Sequence, residues 1–370
     1  MPCKNQYNCA MKKILMLNVA RNSVKELLLS LLPFIVVSLF LTAVSCNDDD
    51  EQTEDLVGNW IDLGDYEGRP RTQAVGFSVG DKGYVGLGYN PNEEKERLID
   101  FWEYDPELNT WNQKADFPGI PRNGAIGIGT DTKGYVGTGY GYNDTIKKFQ
   151  QLKDFWEYDP GLNTWTQKAV FMGTARYGAV GFSINNKCYI GTGYDGYYLK
   201  DFYEYDPAGD TWTKKSSISG SKRNEAMGFA LNGKGYVCGG IDNGSFESDF
   251  YEYDPGTGIW TEKNPIINAS DEAFDDDYTS IKGTGKVAFA LNGKGYIATG
   301  GEGSAGNTVW EYDPVNDLWK QKTSFEGTGR VDAVVFVIGE RAYITTGNSS
   351  SYYFDDIWGF DPDGEYNEDD

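Results

Sequence analysis

The chain has no histidine among its 370 residues. That absence excludes Ser-His-Asp and Cys-His catalysis and every zinc, copper or iron site that needs an imidazole ligand. Cysteine is scarce, five in all, and Cys3, Cys9 and Cys46 fall in the first 46 residues. Cys188 and Cys238 remain, at unequal offsets in neighbouring repeats. They read as small buried hydrophobes, although an exported protein could also pair them. Basic residues are outnumbered 33 to 56, for a net charge of −23. Such a chain has no electrostatic footprint for nucleic acid, and none is expected as a partner. Long apolar runs are missing apart from Leu27 to Ala43. Helical periodicity is missing from the rest. What is abundant is glycine, 47 residues, and aromatic side chains, 15% of the chain. Nearly twice the usual glycine share of roughly 7%, with ordinary charge, describes a turn-rich β protein.

The N-terminus reads as an address. Lys12, Lys13, Arg21 and Lys25 precede the apolar run, which ends in Ala43-Val44-Ser45-Cys46. A basic start, an apolar stretch and small residues before a cut site describe an export signal. Small residues directly before a Cys resemble a bacterial lipobox, which implies cleavage before Cys46 and acylation of that residue. Asn47, Asp48, Asp49, Asp50 and Glu51 follow, and resemble the acidic tag of Bacteroidetes surface lipoproteins. The alternative is an uncleaved anchor, since 17 apolar residues are just long enough to span a bilayer. Residues 1–45 are thus expected as signal, 46–57 as an acidic tether and 58–370 as the folded domain. The expected location is the outer membrane, facing the cell surface or the periplasm. Without residues 1–45, which hold five Lys/Arg and one Glu, the net charge is −27. A surface that acidic repels anionic membrane, so lipid is the only membrane tether expected.

From Trp60 onward one phrase recurs. Asp100-Phe101-Trp102-Glu103-Tyr104-Asp105-Pro106 then Trp111 is matched by Asp154 to Pro160 with Trp165, Asp201 to Pro207 with Trp212, and Asp249 to Pro255 with Trp260. Weaker copies are Val309 to Pro314 with Trp319, and Ile357 to Pro362. Upstream of each stands a Tyr with Gly four residues on: Tyr84/Gly88, Tyr135/Gly139, Tyr189/Gly193, Tyr236/Gly240, Tyr296/Gly300 and Tyr343/Gly347. Tyr-to-Tyr steps of 47 to 60 residues with β-patterned segments mean a solenoid or a propeller. Each unit offers four strands, as in Ala226 to Leu231 and Lys234 to Cys238 around the hairpin signal Asn232-Gly233.

Apolar strand, Gly, Tyr, then Trp seven residues after the Tyr resembles the Kelch repeat, from Trp60 to Pro362. The resemblance implies a β-propeller, and six copies give six four-stranded antiparallel blades. The last copy stops without its Trp, and Trp60 lies 11 residues before Arg71, the offset that also separates Trp111 from Arg122. The leading strand is therefore expected to complete the sixth blade and close the ring.

Thirteen residues before a Tyr stand Arg71, Arg122, Arg176, Arg223 and Arg330. In Kelch propellers the equivalent arginines look into the central channel from the binding face, which implies a ring of guanidiniums suited to a carboxylate. The other reading pins each Arg to a neighbouring Asp or to backbone carbonyls. The fifth copy departs, with Gly283 at the Arg position, Lys286 three residues on, and an insertion from Asn264 to Lys282 expected to arch over the mouth. Two residues after each Arg come Gln73, Gly124, Gly178, Glu225 and Asp332. Gln73, Glu225 and Asp332 break from Gly, and breaks in a repeat are where a symmetric scaffold gains a site. Glu225 is the candidate acid/base, unless it and Asp332 only neutralise the Arg ring. Tyr177 beside Arg176, with the loop residues Tyr89, Tyr140, Tyr142, Tyr194, Tyr197 and Tyr198, completes the candidate ligand-binding set. The acidic stretch from Asp271 to Asp277 lacks the spacing of a calcium loop and reads as solvated. No metal and no cofactor is expected.

Galactose oxidase shares the Kelch repeat, but its copper requires His, so that activity is excluded. The bacterial sialic-acid mutarotase family resembles this chain in size, blade number and export. The leading expectation is a non-catalytic binding module for a glycan or protein ligand, and the alternative is a mutarotase or epimerase acting on an anionic sugar.

Overall fold

Alternation in Val75-Gly76-Phe77-Ser78-Val79 buries every second side chain and makes a strand with one face in a core. The next strand, Lys82–Gly86, is buried at four of five positions and lies inside a sheet. Phe101–Asp105 and Thr110–Gln113 follow, and the four form an antiparallel meander, blade 1. The computed structural model describes residues 56–367, and among these there are six such four-stranded sheets. Blades 2 to 5 start at Ile126, Val180, Met227 and Val287. Blade 6 takes Val334–Ile338, Arg341–Thr345 and Asp356–Asp361, and its outer strand is Asn59–Asp65. The innermost strands neighbour one another around a closed ring, so the architecture is the expected six-bladed propeller, closed by the leading strand. The signal, most of the tether and Cys46 lie outside the described residues.

The recurring phrase is explained by what its side chains do. Its Glu accepts a hydrogen bond from the Tyr hydroxyl of the strand beside it, Tyr84 to Glu103 at 2.6 Å and Tyr135 to Glu157 at 2.8 Å. Its Tyr and Trp pack in the seams between blades: Phe101 of blade 1 meets Tyr158 and Trp165 of blade 2 with ring centres 4.8 and 4.9 Å apart. Trp165, Trp212 and Trp260 then reach back to the preceding blade and donate to the carbonyls of Ala115, Ala169 and Ser216, each at 2.9 Å. Glycine in the second strand serves close approach. A Cβ on Gly134 would lie 2.1 Å from the Phe77 ring, and one on Gly83 would lie 2.2 Å from Phe336. Between blades 2 and 3 the pair is changed on both sides, with Ile128 in place of the Phe and Cys188 in place of the Gly. The smaller side chain makes room for the thiol. Cys188 and Cys238 are both buried and free.

Trp60 does for blade 6 what the repeated Trp residues do elsewhere. It is fully buried, lies 4.4 Å from Phe360 and 4.9 Å from Phe325, and donates to the Thr323 carbonyl of the preceding blade at 3.3 Å. Closure therefore rests on a strand from the other end of the chain, and losing its anchor opens the ring. A Trp60→Ala variant is expected to lose about 3–5 kcal/mol in urea denaturation. Stability within about 1 kcal/mol of the parent would show that this strand is not the latch.

Candidate functional site

Each repeated arginine turns into its own blade. Arg71, Arg122, Arg176, Arg223 and Arg330 are all 0% exposed. Each faces the first Asp of its own phrase with two N–O contacts of 2.5–2.9 Å, the partners being Asp100, Asp154, Asp201, Asp249 and Asp356. The Nε donates to the carbonyl two residues back, and Nη1 donates to a carbonyl sixteen residues on, as in Arg122 to Ile120 and Thr138 at 2.9 Å each. Four arginines also lie over the ring five residues earlier, Tyr66, Phe117, Phe171 or Phe325, at 4.8–5.2 Å. Burial alone would raise the carboxyls of Asp100, Asp154 and Asp201, but the guanidinium bonds outweigh it and hold them below the ordinary carboxylate range. This corrects the expectation of five guanidiniums open to a ligand. The Asp partner stands at the head of the very phrase that identifies the repeat, and it leaves the arginines as internal clamps. Removing one partner of such a pair costs about 3–5 kcal/mol because the other is left buried and uncompensated.

The fifth blade loses both halves of the clamp together. Gly283 stands for the Arg and Thr308 for the Asp. Lys286 fills the space: its Nζ donates to the carbonyls of Thr299 at 2.9 Å, Ser280 at 3.0 Å and Gly300 at 3.4 Å. Thr299 is the fifth blade's counterpart of the carbonyl that receives Nη1 elsewhere. Ser280 Oγ accepts from Trp310 Nε1 at 3.0 Å, as the Asp accepts from Trp in blades 1, 2 and 6. Burial without a carboxylate partner pulls the Lys286 ammonium down to about 8. The insertion that brings Ser280 is therefore a structural substitute. Its Ile266, Tyr278 and Ile281 join the core beside Trp310 and Trp319, so it packs against blade 5 and does not arch over the mouth. Within it, Asp275 is buried and accepts from the Ala269 and Ser270 amides at 2.9 Å each.

The clamps fix the backbone around the channel. The Gly four residues after each Tyr has positive φ, and its amide donates to the carbonyl of the next blade's Arg, as Gly88 does to Arg122 at 3.0 Å. In blade 5 the Gly283 carbonyl takes the same bond from Gly240 at 3.2 Å. Two residues past the Arg a second tier forms: Gly124 donates to Gln73, Gly178 to Gly124, Glu225 to Gly178, Asp332 to Gly285 and Gln73 to Asp332, at 2.8–3.1 Å. Every residue of this tier is left-handed, with φ of 50–65°, which suits Gly124, Gly178 and Gly285. Gln73, Glu225 and Asp332 adopt it with side chains, at a cost of about 1 kcal/mol or more each. Left-handed backbone also recurs at Leu87, Thr138, Thr192, Thr299 and Thr346 as part of the repeat, so what singles out Gln73, Glu225 and Asp332 is the polar side chain each carries where the other blades have glycine.

These residues line a recess of about 200 Å³ at the channel mouth, together with Tyr177, Lys286 and a ring of alanines. A cleft lined by Ser304, Asn348, Ser349 and Ser350 adjoins it and shares Glu225, Gly285 and Asp332. Gln73 Nε2 donates to Asp332 Oδ2 at 3.3 Å, and Asn224 Nδ2 donates to Glu225 Oε1 at 3.2 Å. Burial, then the facing Asp332 carboxylate, push Glu225 up to about 7 against that Asn224 bond. Burial also lifts Asp332 above the usual range. Opposite the serines stands an aromatic wall: Tyr177 contacts Tyr140 and Tyr194 at 5.7 and 5.6 Å, and Tyr194 contacts Tyr198 at 5.1 Å. The structure thus brings Gln73, Tyr177, Glu225 and Asp332 together and sets the five arginines behind them. The polar cleft was not visible in the repeat, because its serines lie in loops of unequal length.

The geometry predicts a pH-dependent effect of one substitution. A carboxyl with a raised native pKa contributes fully below its unfolded value of 4.5, and that contribution is lost as pH rises through about 7. At pH 8 the charged form costs the fold on the order of 3 kcal/mol before solvent screening reduces it. Glu225→Gly removes both this cost and the left-handed strain. Urea denaturation is expected to find the variant more stable than the parent, with a larger gain at pH 8 than at pH 5. An equal difference at both pH values would contradict the assigned environment.

Comparison with known proteins agrees with the fold and adds a carbohydrate context. The Kelch motif family matches residues 175–218 and 230–265. The N-acetylneuraminate epimerase of Pasteurella multocida is 36% identical over 93 residues, 25% of this chain and 23% of that protein. The N-acetylneuraminate epimerase of Haemophilus influenzae is 33% identical over 116 residues, 31% of this chain and 29% of that protein. The matched segments therefore span less than a third of these relatives. A solved chain described as "Structure of YjhT" superposes with a TM-score of 0.67 at 18% identity, covering 80% of this chain and 96% of that one. The chain is a propeller-fold protein similar, over part of its sequence, to N-acetylneuraminate epimerases.

Proposed function

We propose that this protein interconverts the anomers of a sugar of the N-acetylneuraminate type at the channel mouth, with Glu225 moving the proton. The observation that carries this reading is a carboxyl poised near neutral pH in a strained, left-handed position of an otherwise glycine tier. A non-catalytic binder led the expectations from sequence. It does not account for a strained acid kept at the mouth, and the epimerase similarity supports the catalytic alternative.

Mutarotation needs one group to take the proton of the anomeric hydroxyl and another to deliver a proton to the ring oxygen as the carbon–oxygen ring bond breaks. The open-chain ketone then recloses on its other face with the two transfers reversed, so protons balance and no oxidant or cofactor enters. A group with a pKa near the working pH does this best, in either direction. Glu225 is such a group, and Asp332, facing it, is the second acid. Glu225 and Tyr177 are also close enough for their charges to interact. The aromatic wall on one side and the serine cleft on the other suit the apolar and hydroxylated sides of a sugar.

The test is anomer exchange by NMR, starting from crystalline α-N-acetylneuraminate. The parent protein is expected to accelerate exchange with an apparent pKa near 7, and Glu225→Gln to lose about 10²–10⁴-fold of the acceleration. A parent rate equal to buffer would end the reading.

We also propose that the chain is an outer-membrane lipoprotein acylated at Cys46, on the strength of the lipobox-like residues before it. Expressed with its signal, the parent is expected in the membrane fraction and Cys46→Ala in the soluble fraction. A Cys46→Ala protein that stays with membrane would refute acylation as the tether.

A further inference from the structure

An anionic sugar at this mouth raises a problem of charge. The recess presents Glu225 and Asp332, the five repeated arginines are tied to aspartates, and the Lys286 ammonium is shared among three carbonyls. The molecule as a whole is acidic. A carboxylate ligand needs a cation whose hydrogen-bonding edge is not already occupied.

Arg97 differs from the clamps in each respect that matters. It lies outside the repeat, on the loop that leads from Lys82–Gly86 to Phe101–Asp105. Its Nε donates to Asn123 Oδ1 at 2.8 Å. Its guanidinium lies over the rings of Phe149, Tyr89 and Tyr140 at 4.6, 5.2 and 5.6 Å. The acid beside it, Glu96, is 3.8 Å away and half exposed, beyond hydrogen-bond reach. The Arg97 side chain keeps 14% exposure, whereas the clamp arginines have none. Three rings thus hold a fork whose charge is compensated only weakly. A guanidinium prearranged in this way loses little freedom when it grips a planar carboxylate with two bonds.

Arg97 is also wired to the mouth. The Asn123 amide that it fixes donates in turn to the Gln73 side-chain carbonyl, and Gln73 donates to Asp332. On the other side, Tyr140 beneath the guanidinium touches Tyr177, which lines the recess. Two side chains, Asn123 and Gln73, link the cation by hydrogen bonds to Asp332, the carboxylate whose charge acts on Glu225.

We infer that Arg97 is the specificity-determining residue of this site and reads the carboxylate of an anionic sugar, with Tyr140 and Phe149 as its platform. The inference rests on the proposed sugar site and concerns its choice of substrate charge, not its catalysis. Sugars without the carboxylate gain nothing from Arg97 and are held by the aromatic wall and the serine cleft alone.

The experiment compares N-acetylneuraminate with its methyl ester, which keeps the ring and loses the charge. Dissociation constants are measured by calorimetry for the parent, Arg97→Gln and Arg97→Lys, alongside anomer exchange. Arg97→Gln is expected to weaken binding of the acid about 10- to 100-fold, the worth of a charge-assisted bond, and to leave the ester within about twofold. Arg97→Lys is expected to restore part of the loss, since it returns the charge without the fork. Equal weakening of acid and ester, no weakening of either, or a parent that binds neither would overturn the inference. A parent that binds the acid through Arg97 without accelerating exchange would remove the enzymatic reading and leave this one. A parent that accelerates exchange while Arg97→Gln keeps the parent's preference for acid over ester would do the reverse.

Discussion

The buried pairing of an arginine with the aspartate that opens each blade's phrase is the interaction on which the rest depends. It joins the approach to the innermost strand to the third strand of the same blade. It also fixes the carbonyl that receives the preceding blade's glycine amide. A buried ion pair is a poor source of stability compared with apolar packing of the same volume. Here its value is geometric. Both carboxylate oxygens and two carbonyls specify where the guanidinium sits, and hence the course of the backbone two residues later. That backbone is the left-handed tier around the channel.

A symmetric tier of this kind is best built from glycine, and three blades comply. Gln73, Glu225 and Asp332 do not, and all three face the same recess. The scaffold thus supports side chains that its local conformation disfavours, and it keeps Asp332 close enough to raise the proton affinity of Glu225. Stability is given up at the place where the proposed reaction exchanges a proton, which is the usual location for such a cost. The fifth blade illustrates the same economy. It replaces Arg and Asp by Lys286 and Ser280 and leaves the second tier without its sixth bond among the described residues, and the cleft opens beside Glu225 at that gap.

Much of this was legible in the sequence because the repeat is regular. The phrase from Asp to Pro, the Tyr/Gly pairs and the orphan Trp60 specified the blades and their closure. Glu225 and Asp332 were visible as breaks from glycine at equivalent positions. The role of the arginines stayed open between a ligand ring and internal ion pairs, since register alone shows five like charges at one height and not what each one faces. A signal did exist: the fifth repeat lacks both the Arg and the leading Asp, as expected when each is needed only for the other. Arg97 and the serine cleft were beyond reach, because both lie in loops whose lengths differ from blade to blade, and only the fold brings the cleft beside Glu225 and links Arg97 through Asn123 to Gln73.

The central claim is that the propeller's backbone holds an acid at the channel mouth in a state ready to give or take a proton near neutrality. The most direct measurement is a carbon-13 NMR titration of the glutamate side-chain carboxyls, with the Glu225 resonance assigned by its loss in a variant. The account predicts a midpoint near 7 for that resonance, well above the ordinary glutamates of the same protein. A midpoint near 4.5 would show an acid in ordinary solvent, and the chemistry assigned to the mouth would lose its basis.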